Sequence, residues 1–410
     1  MIGEKGKLLY NVYRALTYGL SPFLYLHLRF RTLQGIEHPV RWPERLGRPS
    51  TSRPPGHLIW FHTASLGEGM AAIPVIKRCI EERPDCTILM TSTTASAFEI
   101  ITNQLPTGVI YQFAPLDIPA AMDAFLGYWK PNAVMLMECE LWPNLILGAA
   151  RNGIALALLN ARMSAKSFSR WSRPVLLPLI SLMLSKFSLI VPLSTMQGIR
   201  FQLLQAPPYV INFSGDLKYT VEEFDISKRG VQSIEELKVQ LAHRRVWMVS
   251  SIHRGEEKVQ ELQKEGLSVA LRSRDEKLVS GTSIYVVDTL GELRHFYTLT
   301  PIAVIGGSFL PGLTGHNISE AAAAGCAVLT GHHVGHFSDM VLKMQRSNPL
   351  SVLQVSAEEL EEALSELFSN SEILEARCLA AKQAFQALSS GIVANVWNQL
   401  NFNVLRQALC

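Results

Sequence analysis

The sequence predicts an α/β protein of two domains, each built on a parallel sheet. Three observations carry that prediction. Short apolar runs alternate with helix-period segments along the chain, the pattern of strands covered by helices on both faces. The apolar run 58–61 leads through His62-Thr-Ala-Ser-Leu-Gly-Glu68 into a segment periodic in Met70, Ile73, Val75 and Ile76, a strand–loop–helix signature. The same grammar restarts at Val246-Trp-Met-Val-Ser-Ser-Ile-His-Arg-Gly-Glu-Glu257. A length of 410 residues suits two domains of about 100–200 residues each.

Composition narrows the class. The chain is 48% hydrophobic and only 18% charged, with a mean hydropathy of +0.15, enough to fill two cores. A net charge of +3 gives no basic surplus for nucleic acid. The six cysteines (Cys79, Cys86, Cys139, Cys326, Cys378 and Cys410) form no C-x-x-C pair, which points to free thiols in a reducing compartment rather than a metal cluster. His332, His333 and His336 have no partner motif of recognised metal-ligand spacing.

Residues 1–35 stand apart. Lys5, Lys7, Arg14, Arg29 and Arg31 face a single acid, Glu4. The intervening segment is rich in Leu, Tyr and Phe and is interrupted by Arg14 and Pro22. It makes a poor membrane span and suits a helix lying in the membrane interface. An amphipathic helix packed on the first domain is the structural alternative. No short apolar core with a small-residue cleavage site marks a secretory signal, while a basic, acid-poor start is compatible with an organelle transit peptide.

The first domain is expected over 36–220, with strands at 58–61, 87–91, 109–113, 133–137, 155–159 and 189–193, and a last apolar run at 209–213. Helical patterns fall between them, for example at 118–128 and 142–150. A charged segment, 220–243, without strand pattern sets the boundary, and the second domain is expected over 221–410. Its strands are expected at 246–251, 267–271, 284–287, 303–305, 327–329 and 352–355, with helices over 357–368, 372–388 and 393–409.

Several constellations could carry chemistry. Ser65-Leu-Gly-Glu68 fits both a capping box and a general base placed at a strand's carboxyl end, and taken alone the two stand side by side. Met137-Glu-Cys-Glu-Leu-Trp-Pro-Asn144 puts Glu138 and Glu140 at a strand end, as acid and base, metal ligands or helix caps. Asn160-Ala-Arg162, Ser164-Ala-Lys166 and Gly215-Asp-Leu-Lys218 offer cations for an anionic ligand, or solvated surface charge. In the second domain, Gly306-Gly-Ser308 through Gly315-His-Asn317 runs into an Ala-rich helix bearing Glu320. Glycines there allow close backbone approach and helix-start amides can hold a phosphate, with Glu320 reaching ribose hydroxyls. Ser251 and His253 share a strand–loop–helix motif, and Thr289 opens another helix, where it could contact a phosphate or cap the helix.

Taken in order, these motifs resemble those of the Kdo transferases of lipid A assembly, which move 3-deoxy-D-manno-octulosonic acid (Kdo) from CMP-Kdo to a lipid A precursor. The likeness rests on Ala64-Ser-Leu-Gly-Glu68, the Glu138–Glu140 and Asn160–Arg162 motifs, Gly215-Asp-Leu-Lys218, His253-Arg-Gly-Glu-Glu257, Asp288-Thr-Leu-Gly-Glu292, Gly306-Gly-Ser308 and Gly315-His-Asn317, across most of the chain. The resemblance implies a GT-B glycosyltransferase: two Rossmann-like domains facing across a cleft, with an N-terminal membrane-associated helix over 1–35. It implies an inverting transfer without metal or cofactor, with Glu68 as the catalytic base. It implies acceptor contacts from Ser65, Glu138, Glu140, Arg162 and Lys218. Donor contacts follow from Ser251, His253, Thr289, Gly306, Gly307, Ser308, Gly315, His316, Asn317 and Glu320. The partners implied are CMP-Kdo, an acylated glucosamine disaccharide and a membrane surface.

The chain departs from that family twice. After Glu257 it passes directly to the 267–271 run, where the family carries a helix, a buried strand and a Pro-Arg-His motif, roughly one βα unit of about 30 residues. Loss of a buried strand exposes its neighbours' backbone groups and apolar faces, so a catalytically impaired isoform that still binds membrane or acceptor is the alternative function. Thr314 and Ile318 replace an arginine and a proline around Gly-His-Asn, a variant that resembles plant homologues and implies a mitochondrial location; a bacterial member would sit on the cytoplasmic face of the inner membrane.

Overall fold

The computed structural model describes residues 2–220, 228–252, 267–274, 276, 278–289 and 292–409. It divides into two compact units: Met1–Thr220 with Gly391–Cys410, and Val221–Ser390. Residues 391–410, expected in the second domain, therefore belong to the first unit.

The first unit opens with α1 (Ile2–Gly19) and α2 (Ser21–Leu33). There follow β1 (His57–His62), α3 (Leu66–Glu82), β2 (Cys86–Ser92), α4 (Ala95–Thr102), β3 (Ile110–Phe113), α5 (Pro119–Trp129) and β4 (Ala133–Met137). Then come α6 (Pro143–Arg151), β5 (Ala155–Ala161), α7 (Ala165–Trp171), α8 (Leu177–Leu184), β6 (Leu189–Pro192) and α9 (Thr195–Leu203). The six strands pair in parallel in the order β3-β2-β1-β4-β5-β6. That is the doubly wound dinucleotide-fold order, whose direction reverses between β1 and β4. Its core is dry: Trp60, Phe125, Trp129, Leu136 and Leu158 are fully buried.

The last apolar run, 209–213, adds no strand to this sheet. Pro207 and Pro208 have no N–H to give a ladder, and the chain makes a 3-10 turn over Pro208–Val210 with one isolated bridge, Ile190 to Ile211.

Helix α1 is part of this unit. Tyr10 is buried in the core, and Gly6 lies so close to α8 that a Cβ there would stand 2.5 Å from the Pro178 carbonyl oxygen. The opposite face is apolar and open: Leu8, Leu16, Phe23, Leu26 and Leu33 on α1 and α2 are 60% exposed or more. No helix among the described residues is long and apolar enough to cross a membrane.

The second unit carries α10 (Lys228–Leu241), β7 (Met248–Ser250), β8 (Val269–Leu271), β9 (Ile284–Val286), α11 (Leu293–Tyr297) and β10 (Ile302–Ile305). It continues through α12 (Ser319–Ala324), β11 (Ala327–Thr330), α13 (Ser338–Ser347), β12 (Val352–Gln354), α14 (Leu360–Ser369) and α15 (Ser371–Ser389). One parallel sheet runs β12-β11-β10-β7, and β8 and β9 pair separately. Among the described residues the larger sheet ends on β7, which pairs with β10. Val249, mid-strand, is 39% exposed and Trp247 near it 41%. The chain then returns to the first unit, where α16 (Ile392–Leu400) packs on α3 and Ile392 closes over Gly215.

Two outcomes test this architecture. Gly6→Ala should lower unfolding stability by about 1–3 kcal/mol, since neither α1 nor the Pro178 backbone can yield cheaply; a neutral denaturation curve would place α1 off the core. Val249→Thr should change stability by no more than about 0.5 kcal/mol, as at a surface site. A loss well above 1 kcal/mol in the same titration would mean that β7 is covered on both faces.

Candidate active site

In a doubly wound sheet the carboxyl ends of the strands on either side of the reversal flank a crevice. Here those strands are β1 and β4, and the residues that follow them are the Glu68 and Glu138–Glu140 motifs.

The loop after β1 is pinned to β2. Thr63 donates through N–H and hydroxyl to the Thr91 carbonyl, and Thr93 Oγ1 donates to the Ala64 carbonyl at 2.6 Å. Ser65 then caps α3, accepting from the Glu68 N–H at 3.4 Å. Glu68 turns back: Oε2 accepts from the Ala64 N–H at 2.7 Å and Oε1 from the Ser65 hydroxyl at 3.2 Å. The capping geometry and a carboxylate aimed at the strand ends thus coexist. Glu68 is 7% exposed. Burial pushes its pKa from 4.5 to about 7; the charges of Glu140 and Glu138 add to the rise, against the Ala64 and Ser65 hydrogen bonds. Such a group exchanges a proton near neutrality, as a general base must.

After β4 the backbone is held in unusual conformations. Glu138 has φ +52° and Asn160, near the end of the neighbouring β5, also φ +52°. Non-glycine residues in that region are strained and cluster at functional sites. Asn160 Oδ1 accepts from the Leu217 N–H at 3.0 Å, which ties β5 to the Gly215–Lys218 segment. Lys218 forms an ion pair with Glu138 Oε1, and Arg162 stands 3.8 Å from Oε2. The two cations expected to face substrate anions are therefore already matched to Glu138 in this structure. Lys166, the third, is exposed on α7.

Glu140 accepts from the Trp142 indole at 2.6 Å and faces His62 Nε2 at 3.8 Å. Burial would raise its pKa, but the His62 ring and the Trp142 indole outweigh it and hold Glu140 below the usual carboxylate range. Asp117 stands outside every motif of the sequence. Its carboxylate caps α6, accepting from the Asn144 and Leu145 N–H groups at 3.1 and 2.8 Å, and also takes the Tyr13 hydroxyl of α1 at 2.9 Å. The local signal is an acid two residues before Pro119, a common helix entry.

In the second unit, the carboxyl ends of the paired strands β7 and β10 bring Ser251 beside the glycine loop. Ser251 has φ +58°, and the Gly306 N–H donates to the Ser250 carbonyl at 2.8 Å. Gly315 has φ +71° and a Cβ there would lie 2.8 Å from Val334 Cα, so only glycine fits. Its N–H closes the loop onto the Gly307 carbonyl at 2.8 Å. The Ser308 hydroxyl serves the loop itself, donating to Ile305 and accepting from the Gly331 N–H. Asn317 Oδ1 caps Ser319, and Glu320 pairs with Arg294 at 2.8 Å rather than standing open. The Thr289 hydroxyl donates to the Glu292 carboxylate and does not cap α11. His316 is half-buried beside them, and His253 lies outside the described residues. Among the described residues no cluster of three His, Cys, Asp or Glu side chains could hold a metal ion.

Comparison with known proteins follows the geometry. The profile of the family described as 3-Deoxy-D-manno-octulosonic-acid transferase (kdotransferase) matches residues 40–221. An Arabidopsis thaliana protein named "Probable 3-deoxy-D-manno-octulosonic acid transferase, mitochondrial" is 60% identical, covering 98% of this chain and 97% of its own. That alignment spans 434 positions against the 410 residues here, so the relative carries residues opposite gaps in this chain. A Haemophilus influenzae 3-deoxy-D-manno-octulosonic acid transferase is 27% identical over 88% of this chain and 91% of its own. The solved UDP-GlcNAc 2-epimerase of Neisseria meningitidis superposes with TM-score 0.52 at 13% identity, covering 85% of this chain and 100% of its own. At that identity it speaks for the fold alone, an α/β fold of the GT-B kind. The chain belongs to the 3-deoxy-D-manno-octulosonic acid transferase family.

Proposed function

We propose that this chain transfers Kdo from CMP-Kdo to an acylated glucosamine disaccharide of the lipid A precursor type, with inversion at the anomeric carbon. The observation that carries this is Glu68, a buried carboxylate at the sheet reversal with a pKa of about 7 in a member of this family. Glu68 takes the proton of an acceptor hydroxyl as that oxygen bonds to the anomeric carbon of Kdo. The bond from that carbon to the CMP phosphate oxygen breaks, and CMP leaves with the electron pair. Ser65 orients Glu68. Arg162 and Lys218, drawn from Glu138, meet the anionic groups of the substrates. The backbone of the Gly306–Gly307 and Gly315–Asn317 loop, with Ser251, His253, Thr289 and Glu320, serves the nucleotide, and its amides stabilise the departing phosphate. The open apolar face of α1 and α2 rests in a membrane interface, where an acylated acceptor resides. The mitochondrial designation of the Arabidopsis relative supports the same location here.

A second reading, a catalytically impaired isoform that binds membrane or acceptor without turnover, is favoured by β7, which among the described residues pairs with β10 alone, and by the gapped alignment. Incubating the purified chain with CMP-Kdo and the tetraacylated disaccharide separates the two. A mass gain of one Kdo or more supports transfer. Absence of transfer, with the first unit folded and lipid-bound, supports the isoform. Protection from heat by CMP but not by UDP supports the CMP-linked donor.

Glu68→Gln should cut transfer by about 10²–10⁴-fold. The wild-type rate should rise with pH through about 7, where Glu68 ionises. Stability moves the other way. The raised folded pKa favours the protonated group, a benefit complete below the ordinary value of 4.5 and lost as pH rises through about 7. At pH 8, Glu68→Gln should therefore be more stable than wild type, by on the order of 3 kcal/mol in a urea titration. If the Glu68→Gln variant keeps its activity, or is less stable than wild type at pH 8, Glu68 loses this role.

The membrane reading has its own assay. Leu16→Glu with Phe23→Glu should abolish co-flotation with vesicles containing anionic phospholipid, while leaving the circular-dichroism spectrum unchanged. Flotation that survives the double substitution would move the contact elsewhere.

A further inference from the structure

His62 ends β1, and its side chain is buried on the same face as Trp60, two residues earlier. Both rings meet Thr91, the residue paired with His62 on β2. The Trp60 indole N–H donates to Thr91 Oγ1 at 2.9 Å, and His62 Nδ1 lies 2.9 Å from the same oxygen. An indole N–H can only donate, so Thr91 Oγ1 accepts from Trp60; Thr91 is fully buried, and among the described residues His62 Nδ1 is the acceptor placed to take its hydroxyl proton. Nδ1 is then the acceptor, and the ring's proton sits on Nε2. Nε2 is the atom that faces Glu140, at 3.8 Å.

We propose that His62 is a positioning residue for the transfer: Trp60 and Thr91 lock it as the Nε2–H tautomer, and that N–H orients the Glu140 carboxylate. This rests on the reading of Glu68 as the base. The groups that bear on His62 and Glu68 are Glu138, Cys139 and Glu140 after β4 and Asp117 before α5, while Arg162 and Lys218 are engaged with Glu138. Of these, Glu140 links the two residues. Held ionised by His62 and the Trp142 indole, it adds to the rise of the Glu68 pKa. The chain of contacts Trp60, Thr91, His62, Glu140 thus adds to the effect of burial on the pH at which Glu68 becomes a base.

The test compares pH–rate profiles of wild type, Glu140→Gln, His62→Leu and the pair together. Glu140→Gln should move the acid limb down by roughly 1 pH unit, because a like charge near Glu68 is gone. His62→Leu should move it the same way, since Glu140 then takes up a proton. In the Glu140→Gln background, His62→Leu should add no further shift. His62→Gln, whose amide offers an N–H where Nε2 stood, should restore the wild-type limb. A limb that stays in place in His62→Leu, or shifts that add in the double variant, would overturn the proposal.

A second measurement needs neither a destabilised variant nor activity. The ¹⁵N spectrum of His62 in the intact wild-type chain should show a protonated Nε2 and a bare Nδ1, and Thr91→Val should release that tautomer. A protonated Nδ1 in the wild type would also overturn it. The base reading fails separately, if Glu68→Gln stays active while the tautomer remains locked.

Discussion

Parallel strands buried on both faces have no water to fall back on, so every ladder hydrogen bond must find a protein partner. That constraint orders both halves of this molecule. In the first unit it is met across six strands, and the completed sheet places the carboxyl ends of β1, β4 and β5 side by side. Glu68, Glu138, Glu140 and Arg162 reach one place because they follow those strands. In the second unit, among the described residues, the ladder runs only as far as β7, where Trp247 and Val249 are exposed.

Bringing four carboxylates to one sheet edge raises a problem of like charge, and the structure answers it differently for each. Glu138 is neutralised by Lys218 and Arg162. Glu140 is held ionised by His62 and an indole. Asp117 caps the start of α6, where burial raises its pKa against the Asn144 and Leu145 N–H groups and the Tyr13 hydroxyl, which favour the anion. Glu68 is held by a backbone N–H and a hydroxyl, and its pKa moves to about 7. Environment alone separates one chemically ordinary glutamate from its neighbours.

Much of this was legible in the sequence, and the reasons are local. The six strands of the first unit declared themselves as apolar runs between helical periods, and the Ser65-Leu-Gly-Glu68 turn carried its own capping signature. The apolar run 209–213 follows Pro207 and Pro208, which have no N–H to pair, and it forms no strand. The return of residues 391–410 to the first unit has no local signal, because it depends on α16 covering α3 and Gly215. Matched charges are equally silent: Arg162, Lys218 and Glu320 each read as ligand groups until their partners, Glu138 and Arg294, are seen. Thr91 escaped notice for a similar reason, being a mid-strand threonine whose importance lies wholly across the ladder in His62.

The two-faced helix α1 has a further consequence. Tyr10 fills the core while Tyr13 holds Asp117 at the entry to α6, and Leu8 and Leu16 look outward. A protease that trims the chain inside α1 would draw a plug from the hydrophobic interior and unfasten the segment that carries Glu138 and Glu140. The amino-terminal helix is thus a structural member of the folded unit, and the strand-end carboxylates depend on its staying in place.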